Sequence, residues 1–251
     1  MTPFYKAVIL FLRNPVENST KIIPYLRSYL HRYRRITAEL IGIDLFSKPY
    51  SGHKDLLDVF DFENGFFVQC GGFDGVASDP TYYLEKFKKW TGIIIEPIPK
   101  MALACKKNRP RSTIYQTALV SYDYPSTEIE LINCNLMSIT SCSQLNIAEW
   151  VKKGEEAQGI KSKKITVPAK TLDAVLKLHG AINKIDLLVI DVEGSETEVL
   201  KGFSLTEYKP DYLLLETGTE DLRKSVEEII CEEYNFIRKI SFSDHLYKRK
   251  A

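Results

Sequence analysis

The 251-residue sequence is short of cysteine, of net charge and of long apolar runs, and each shortage removes a class of protein. Its five cysteines, Cys70, Cys105, Cys134, Cys142 and Cys231, are odd in number, widely spaced and without a C-x-x-C pair. Neither a disulfide framework nor a zinc site is therefore expected, and reduced thiols suit the cytoplasm. Lys and Arg number 34 against 33 Asp and Glu, a formal charge of +1. A chain so close to neutral has no overall pull on nucleic acid or on acidic lipid. The longest apolar run near the start, residues 7–12, falls well short of the ~20 residues a membrane span needs. No small-residue cleavage site follows it, so no secretory signal is expected. What is present, 44 % hydrophobic and 27 % charged residues, is a globular composition. A chain of this length buries roughly 70–75 % of its unfolded surface and needs no metal or disulfide to fold.

Two regions differ in pattern. In the first sixty residues, Ile22, Leu26, Tyr29, Leu30 and Tyr33 recur at helical spacing, flanked by Arg27, His31, Arg32, Arg34 and Arg35. Residues 1–60 are read as a helical extension or cap. Its basic face is either a solvated surface or a peripheral contact to a membrane or an anionic substrate. From Asn64-Gly65 onward, short apolar runs alternate with amphipathic stretches. Strands are expected over residues 66–70, 92–96, 112–116, 164–167, 186–190 and 212–215, with a closing pair at 236–240 and 246–248. Helices are expected over 82–90, 100–108, 171–179, 195–200 and 219–233. This alternation predicts one α/β domain, residues 61–251, with a mostly parallel sheet covered on both faces. Residues 120–165 carry little pattern and are read as a substrate loop.

Ligands of such sheets sit beyond the carboxyl ends of the strands, so the residues following each strand matter most. After the first comes Gly71-Gly72-Phe73-Asp74-Gly75. The dinucleotide fingerprint G-x-G-x-x-G fails here, because Phe73 and Val76 stand where glycines would be needed. The remaining G-x-x-x-G turn is the looser form found around S-adenosylmethionine (SAM), and equally serves a purely structural turn. After the second strand comes Glu96-Pro97, 21 residues past Gly75. A carboxylate there can accept hydrogen bonds from both hydroxyls of an adenosine ribose. After the third, Thr117-Ala118-Leu119 can pack an adenine ring or simply fill the core. The later strand over 186–190 is followed by Asp191-Val192-Glu193-Gly194-Ser195-Glu196. Three carboxylates in six residues beside a buried strand are costly unless paired, solvated or metal-bound. Glu216 follows the next strand. If the two strands are neighbours, Asp191 and Glu216 form a carboxylate pair, or an oxygen site for Mg²⁺ or Mn²⁺. His245, in the last hairpin, is placed to reach the strand ends, whereas His179 ends a helix stripe and reads as structural.

Several of these stretches together resemble one known family. They are Phe67-Val68-Gln69-Cys70-Gly71-Gly72-Phe73-Asp74-Gly75, Trp90-Thr91-Gly92-Ile93-Ile94-Ile95-Glu96-Pro97, Thr171-Leu172-Asp173, and residues 185–196 with Lys201-Gly202. The chain is similar over about residues 64–248 to the FkbM-type SAM-dependent methyltransferases. The resemblance implies a class I methyltransferase fold (Rossmann-like, seven-stranded), SAM as methyl donor, and O-methylation of a hydroxyl, often on a sugar of a polysaccharide or a secondary metabolite. By position it implies Gly71, Gly72, Asp74 and Gly75 as the cofactor loop, Glu96 on the ribose, Asp191 facing the methyl group, and Ser138 near the active site. Three positions depart from the family pattern. Gln69 replaces a common acid and supplies an acceptor without charge, which predicts weaker cofactor binding. Gly72 replaces Ala, and Ile139 replaces the Gly that usually follows Ser138.

Methyl transfer to a hydroxyl needs the acceptor proton removed. Asp191 is expected as the base, with Glu216, His245 or a divalent ion assisting. The competing expectation, motivated by Gln69 and Ile139, is a binding or scaffold protein that keeps the fold without the activity.

Overall fold

The computed structural model describes residues 53–250 of the chain. The chain divides into two units, Met1–Ser47 and Lys48–Ala251. The basic helical stripe of residues 22–35, and with it most of the expected extension, lies outside the described residues.

Among the described residues the strands are β1 (Phe66–Cys70), β2 (Thr91–Ile95), β3 (Ser112–Tyr115), β4 (Ala118–Leu119), β5 (Glu128–Asn133), β6 (Ile139–Thr140), β7 (Lys163–Lys170), β8 (Leu187–Ile190), β9 (Tyr212–Glu216), β10 (Tyr234–Lys239) and β11 (Asp244–Arg249). The helices are α1 (His53–Leu57), α2 (Tyr82–Lys88), α3 (Pro99–Asn108), α4 (Ile147–Gln158), α5 (Leu172–His179), α6 (Glu196–Lys201), α7 (Leu205–Tyr208) and α8 (Glu220–Ile230). A seven-stranded sheet runs in the order β10-β11-β9-β8-β1-β2-β3. Its five strands from β3 to β9 are parallel, and β11 and β10 close it as an antiparallel pair.

The apolar runs are strands because both of their faces are covered. Val68, Cys70, Ile93, Ile95, Leu188 and Ile190 point to one side, against Leu172, Val175 and Leu176 of α5. Phe67, Ile94, Leu187 and Val189 point to the other, against Trp90, Leu56 and Phe60. Truncating any of these to Ala should cost about 2–5 kcal/mol. Phe60 stacks edge-on against Trp90 and Tyr212, with ring centroids 5.6 and 5.1 Å apart. Leu56 and Phe60 therefore belong to the core of the α/β domain, although they fall inside the stretch expected as an extension.

The family-like stretch Thr171-Leu172-Asp173 has a structural task. Thr171 caps α5 by accepting a hydrogen bond from the amide of Ala174. Asp173 accepts one from the amide of Ser204 at 2.9 Å, tying α5 to the start of α7. Gly202 lies so close to the carbonyl of Val120 that a Cβ would stand 2.1 Å from it.

Residues 120–165 are not a loop. They hold β5, β6, α4 and the start of β7, and the three strands join β4 in a second, four-stranded sheet in the order β4-β7-β5-β6. Ile129, Leu131, Val167 and Ala169 alternate inward and join Ile98, Ala118 and Val120 in a separate apolar cluster. β4 and β6 have only two residues each, which hides them from any periodicity. No described helix is long and apolar enough to cross a membrane.

Candidate cofactor and acceptor pocket

The carboxyl ends of β1, β2, β8 and β9 and the edge of the second sheet enclose a pocket of about 240 Å³. Its wall includes Gln69, Gly71, Gly72, Asp79, Glu96, Pro97, Ser138, Thr140, Asp191, Glu193 and Glu216.

The β1–β2 side is tightly ordered. Gly71 has φ +86°, and a Cβ on it would stand 1.8 Å from the carbonyl oxygen of Asp191. Only glycine permits this backbone contact between the loop and the end of β8. Glu96 is buried, and its Oε2 accepts from the amides of Gly72 (3.3 Å) and Phe73 (2.8 Å). Its Oε1 accepts from Ile98 N at 2.8 Å. Burial outweighs these three donors and raises its pKa to about 7. A carboxylate offers about four acceptor positions, so roughly one is left. Beneath the loop, Arg109 is fully buried between Asp79 (2.7 Å) and Glu85 (2.8 Å). It also donates to the carbonyl of Gly75 at 3.2 Å.

The β8–β9 side gathers like charges. Asp191 continues the β1–β8 ladder through its amide, which donates to Cys70 O at 3.0 Å. Glu193 (φ +56°) and Gly194 (φ +88°) then turn the chain sharply. The amides of Val192 and Gly194 donate to Glu196 Oε1, at 3.1 and 3.2 Å. The second sheet clasps this turn: Ser143 Oγ donates to Glu193 O at 2.9 Å, and Thr140 and Ser195 hydroxyls meet at 2.8 Å. The carboxylates of Asp191, Glu193 and Glu216 come within 4.8 Å of one another. Burial and mutual repulsion hold Asp191 and Glu193 well above the usual carboxylate range. Glu216 is raised as well, chiefly by burial. Buried against each other, Asp191 and Glu216 titrate as a pair that favours holding one proton between them. Burial and the charge of Glu216 raise Glu196 to about 8, and its Oε2 is buried without a protein partner.

Of the residues expected at the site, Gln69, Gly71, Gly72, Glu96, Pro97, Ser138, Asp191 and Glu216 line this pocket. Four do not. Asp74 spends its carboxylate on the amides of Val76 (2.9 Å) and Ala77 (2.8 Å), which closes the turn. Gly75 packs on Arg109 and Cys105. Ala118 lies in the second-sheet cluster, and its neighbour Leu119 reaches the pocket instead. His245 pairs with Leu215, one step inside the sheet, while its neighbour Asp244 is opposite Glu216. Its Nδ1 lies 2.7 Å from Thr217 Oγ1 and 3.1 Å from Ser243 O, and burial lowers its pKa. Sequence reasoning passed over Asp79 and Thr140, and did not single out Glu193 within its acidic run. Only Glu193 carried a signal, its place among the three clustered acids.

A parallel sheet closed by an antiparallel edge pair, with a glycine turn after β1 and an acid after β2, defines a class I SAM-dependent methyltransferase domain. The model of the methyltransferase FkbM domain matches residues 69–247, and the chain belongs to the FkbM methyltransferase family. Among solved structures it is similar to the methyltransferase FkbM from Methylobacillus flagellatus KT, at 16 % identity over 74 % of this chain and 43 % of that one, with a TM-score of 0.43. The present chain thus spans less than half of that protein. It is also similar to a TehB-like SAM-dependent methyltransferase from Corynebacterium glutamicum ATCC 13032 Kitasato, at 12 % identity over 90 % and 99 % of the two chains, TM-score 0.43. A third is an O-methyltransferase from Bacillus cereus in complex with SAH, at 11 % identity over 89 % and 91 %, TM-score 0.46. No curated protein matches the sequence.

The residues present fit SAM: a buried carboxylate at the end of β2 keeps one acceptor position, and the glycine backbone leaves room over β1.

Proposed function

We propose that this domain transfers the methyl group of SAM to a hydroxyl oxygen, most simply one on a sugar of a glycan, a polysaccharide or a glycosylated metabolite. The observation that carries this reading is the proton-sharing pair Asp191–Glu216 in the same pocket as Glu96 and the glycine loop. Bound SAM supplies an electrophilic methyl on a positively charged sulfur. Gly71, Gly72 and Glu96 would hold its nucleoside part, with Pro97 beside them. The Asp191–Glu216 pair carries one negative charge and one proton. It can accept a second proton from a hydroxyl docked against it. That removes the negative charge of the pair as the positive charge of the donor disappears, so little net charge changes in a low-dielectric site. Raised pKa values suit a base that must work near neutrality. Ser138, Thr140 and Asn135, on the second-sheet wall, offer the hydroxyl and amide groups that a polyhydroxylated acceptor would need. The five cysteines are all free thiols, which supports a cytoplasmic reaction.

The test is transfer of labelled methyl from SAM to a panel of glycans and glycosides, by the wild type and by the double variant Asp191→Asn/Glu216→Gln. Labelled product with the wild type and none with the variant is expected. Product at wild-type rate from the variant overturns the assignment, and no product from any acceptor favours the scaffold reading. A second reading is favoured by the third carboxylate, Glu193: Mg²⁺ or Mn²⁺ held by Asp191, Glu193 and Glu216 would acidify the hydroxyl. Activity abolished by EDTA and restored by Mg²⁺ would select it.

A further inference from the structure

Gln69 is the one polar side chain in the buried run of β1, and both ends of its amide are engaged. Thr81 Oγ1 donates to its Oε1, and its Nε2 donates to the carbonyl of Gly71 at 3.0 Å. The amide orientation follows from chemistry, because the Gly71 carbonyl accepts only and must face the NH₂ group. Thr81 in turn receives Nη2 of Arg109 at 2.8 Å. Thr81 Oγ1 also lies 3.0 Å from Asp79 Oδ1, so its one proton is shared between that carboxylate and Gln69, and the chain of donors runs from guanidinium to hydroxyl to amide to backbone carbonyl. Its last link holds the C=O side of the Gly71–Gly72 peptide. Glu96 Oε2 holds the N–H side of the same peptide at 3.3 Å.

We infer that Gln69 is a positioning residue that clamps the Gly71–Gly72 peptide of the cofactor loop against Glu96, and that an amide, not an acid, is required there. The inference rests on the SAM reading of the pocket. It reverses the expectation that Gln69 weakens cofactor binding for want of a charge. A carboxylate at this position has no proton to give Gly71 O. It would also add a negative charge beside Asp79 and Glu85, which Arg109 alone already fails to balance. In register with Gln69 stand Ile94 on β2 and Val189 on β8, both apolar. The charged groups around it are Asp79, Glu85 and Arg109 below, and Glu96 with the three carboxylates of the β8–β9 side in the pocket.

The experiment compares wild type, Gln69→Glu and Thr81→Val in calorimetric titration with SAM at pH 6 and pH 8, and in amide exchange of residues 70–76 without ligand. Gln69→Glu should bind SAM at least about fivefold more weakly at pH 8. The ratio to wild type should shrink at pH 6, where the introduced carboxyl regains a proton to donate. Loop exchange should quicken in the free variant. Equal or tighter binding by Gln69→Glu at pH 8, or a ratio independent of pH, overturns the inference. If the variant does not fold, Thr81→Val takes its place. It should weaken SAM binding and quicken loop exchange, and unchanged values for both overturn the inference. If wild type itself binds no SAM, the functional reading fails. Loop exchange then still decides the clamp: unchanged exchange in Gln69→Glu, or in Thr81→Val if Gln69→Glu does not fold, overturns it.

Discussion

The two sides of the pocket treat buried polar groups in opposite ways. On the β1–β2 side, Asp74, Asp79, Glu96, Gln69 and Arg109 all have protein partners. On the β8–β9 side, three carboxylates crowd within 4.8 Å, and behind them Glu196 Oε2 is buried with no partner. The first arrangement satisfies its polar groups with hydrogen bonds and holds a shape. The second holds an imbalance that is relieved by a proton or a cation, at a cost to stability. A preorganised cradle beside a group ready to take a proton is what a transferase with a cationic donor requires.

Breaking the charged side should give the largest effect. Asp191→Asn combined with Glu216→Gln should lower turnover by about 10²–10⁴-fold, with binding of S-adenosylhomocysteine (SAH) retained; turnover and SAH titration check this. Breaking the ordered side should act on both ligands alike. Glu96→Ala should weaken SAM and SAH by tenfold or more, about 1.4 kcal/mol, because the nucleoside is common to both. Next in size is pH. With the Glu96 pKa near 7 and the ionised form as hydroxyl acceptor, SAM affinity should rise by roughly tenfold between pH 6 and pH 8 in titrations at each pH.

The smallest effect is on stability. Glu96 and Glu196 have folded-state pKa values raised to about 7 and about 8, from 4.5. Groups raised on folding contribute stability that is complete below the unfolded value and is lost as pH rises through the folded value. The free domain should therefore melt a few degrees lower at pH 8 than at pH 6. Glu196→Gln should flatten that slope in thermal melts.

The sequence made the central sheet legible because β1, β2 and β8 are buried on both faces and read as unbroken apolar runs. Glu96, Asp191 and Glu216 were legible for a related reason: topology alone puts the residue after a parallel strand at the ligand edge. Asp74 and Gly75 lie outside the pocket lining because a loop carboxylate or glycine can serve its own backbone as well as a ligand, and the pattern of residues is the same. His245 stands one position inside the strand end, opposite Leu215, which a sequence pattern does not resolve. Of the second sheet only part of β7 was legible, as the strand expected over 164–167, because β4 and β6 have two residues each and break any periodicity.

If SAM binds as proposed, the Asp191–Glu216 pair faces its sulfonium with a negative charge. SAM and SAH differ there by one positive charge and one methyl. The most direct test is the ratio of their dissociation constants in the wild type and in the Asp191→Asn/Glu216→Gln variant. The account predicts that the wild type prefers SAM by about tenfold or more and that the variant loses this preference while still binding SAH. An equal preference in both proteins would contradict it.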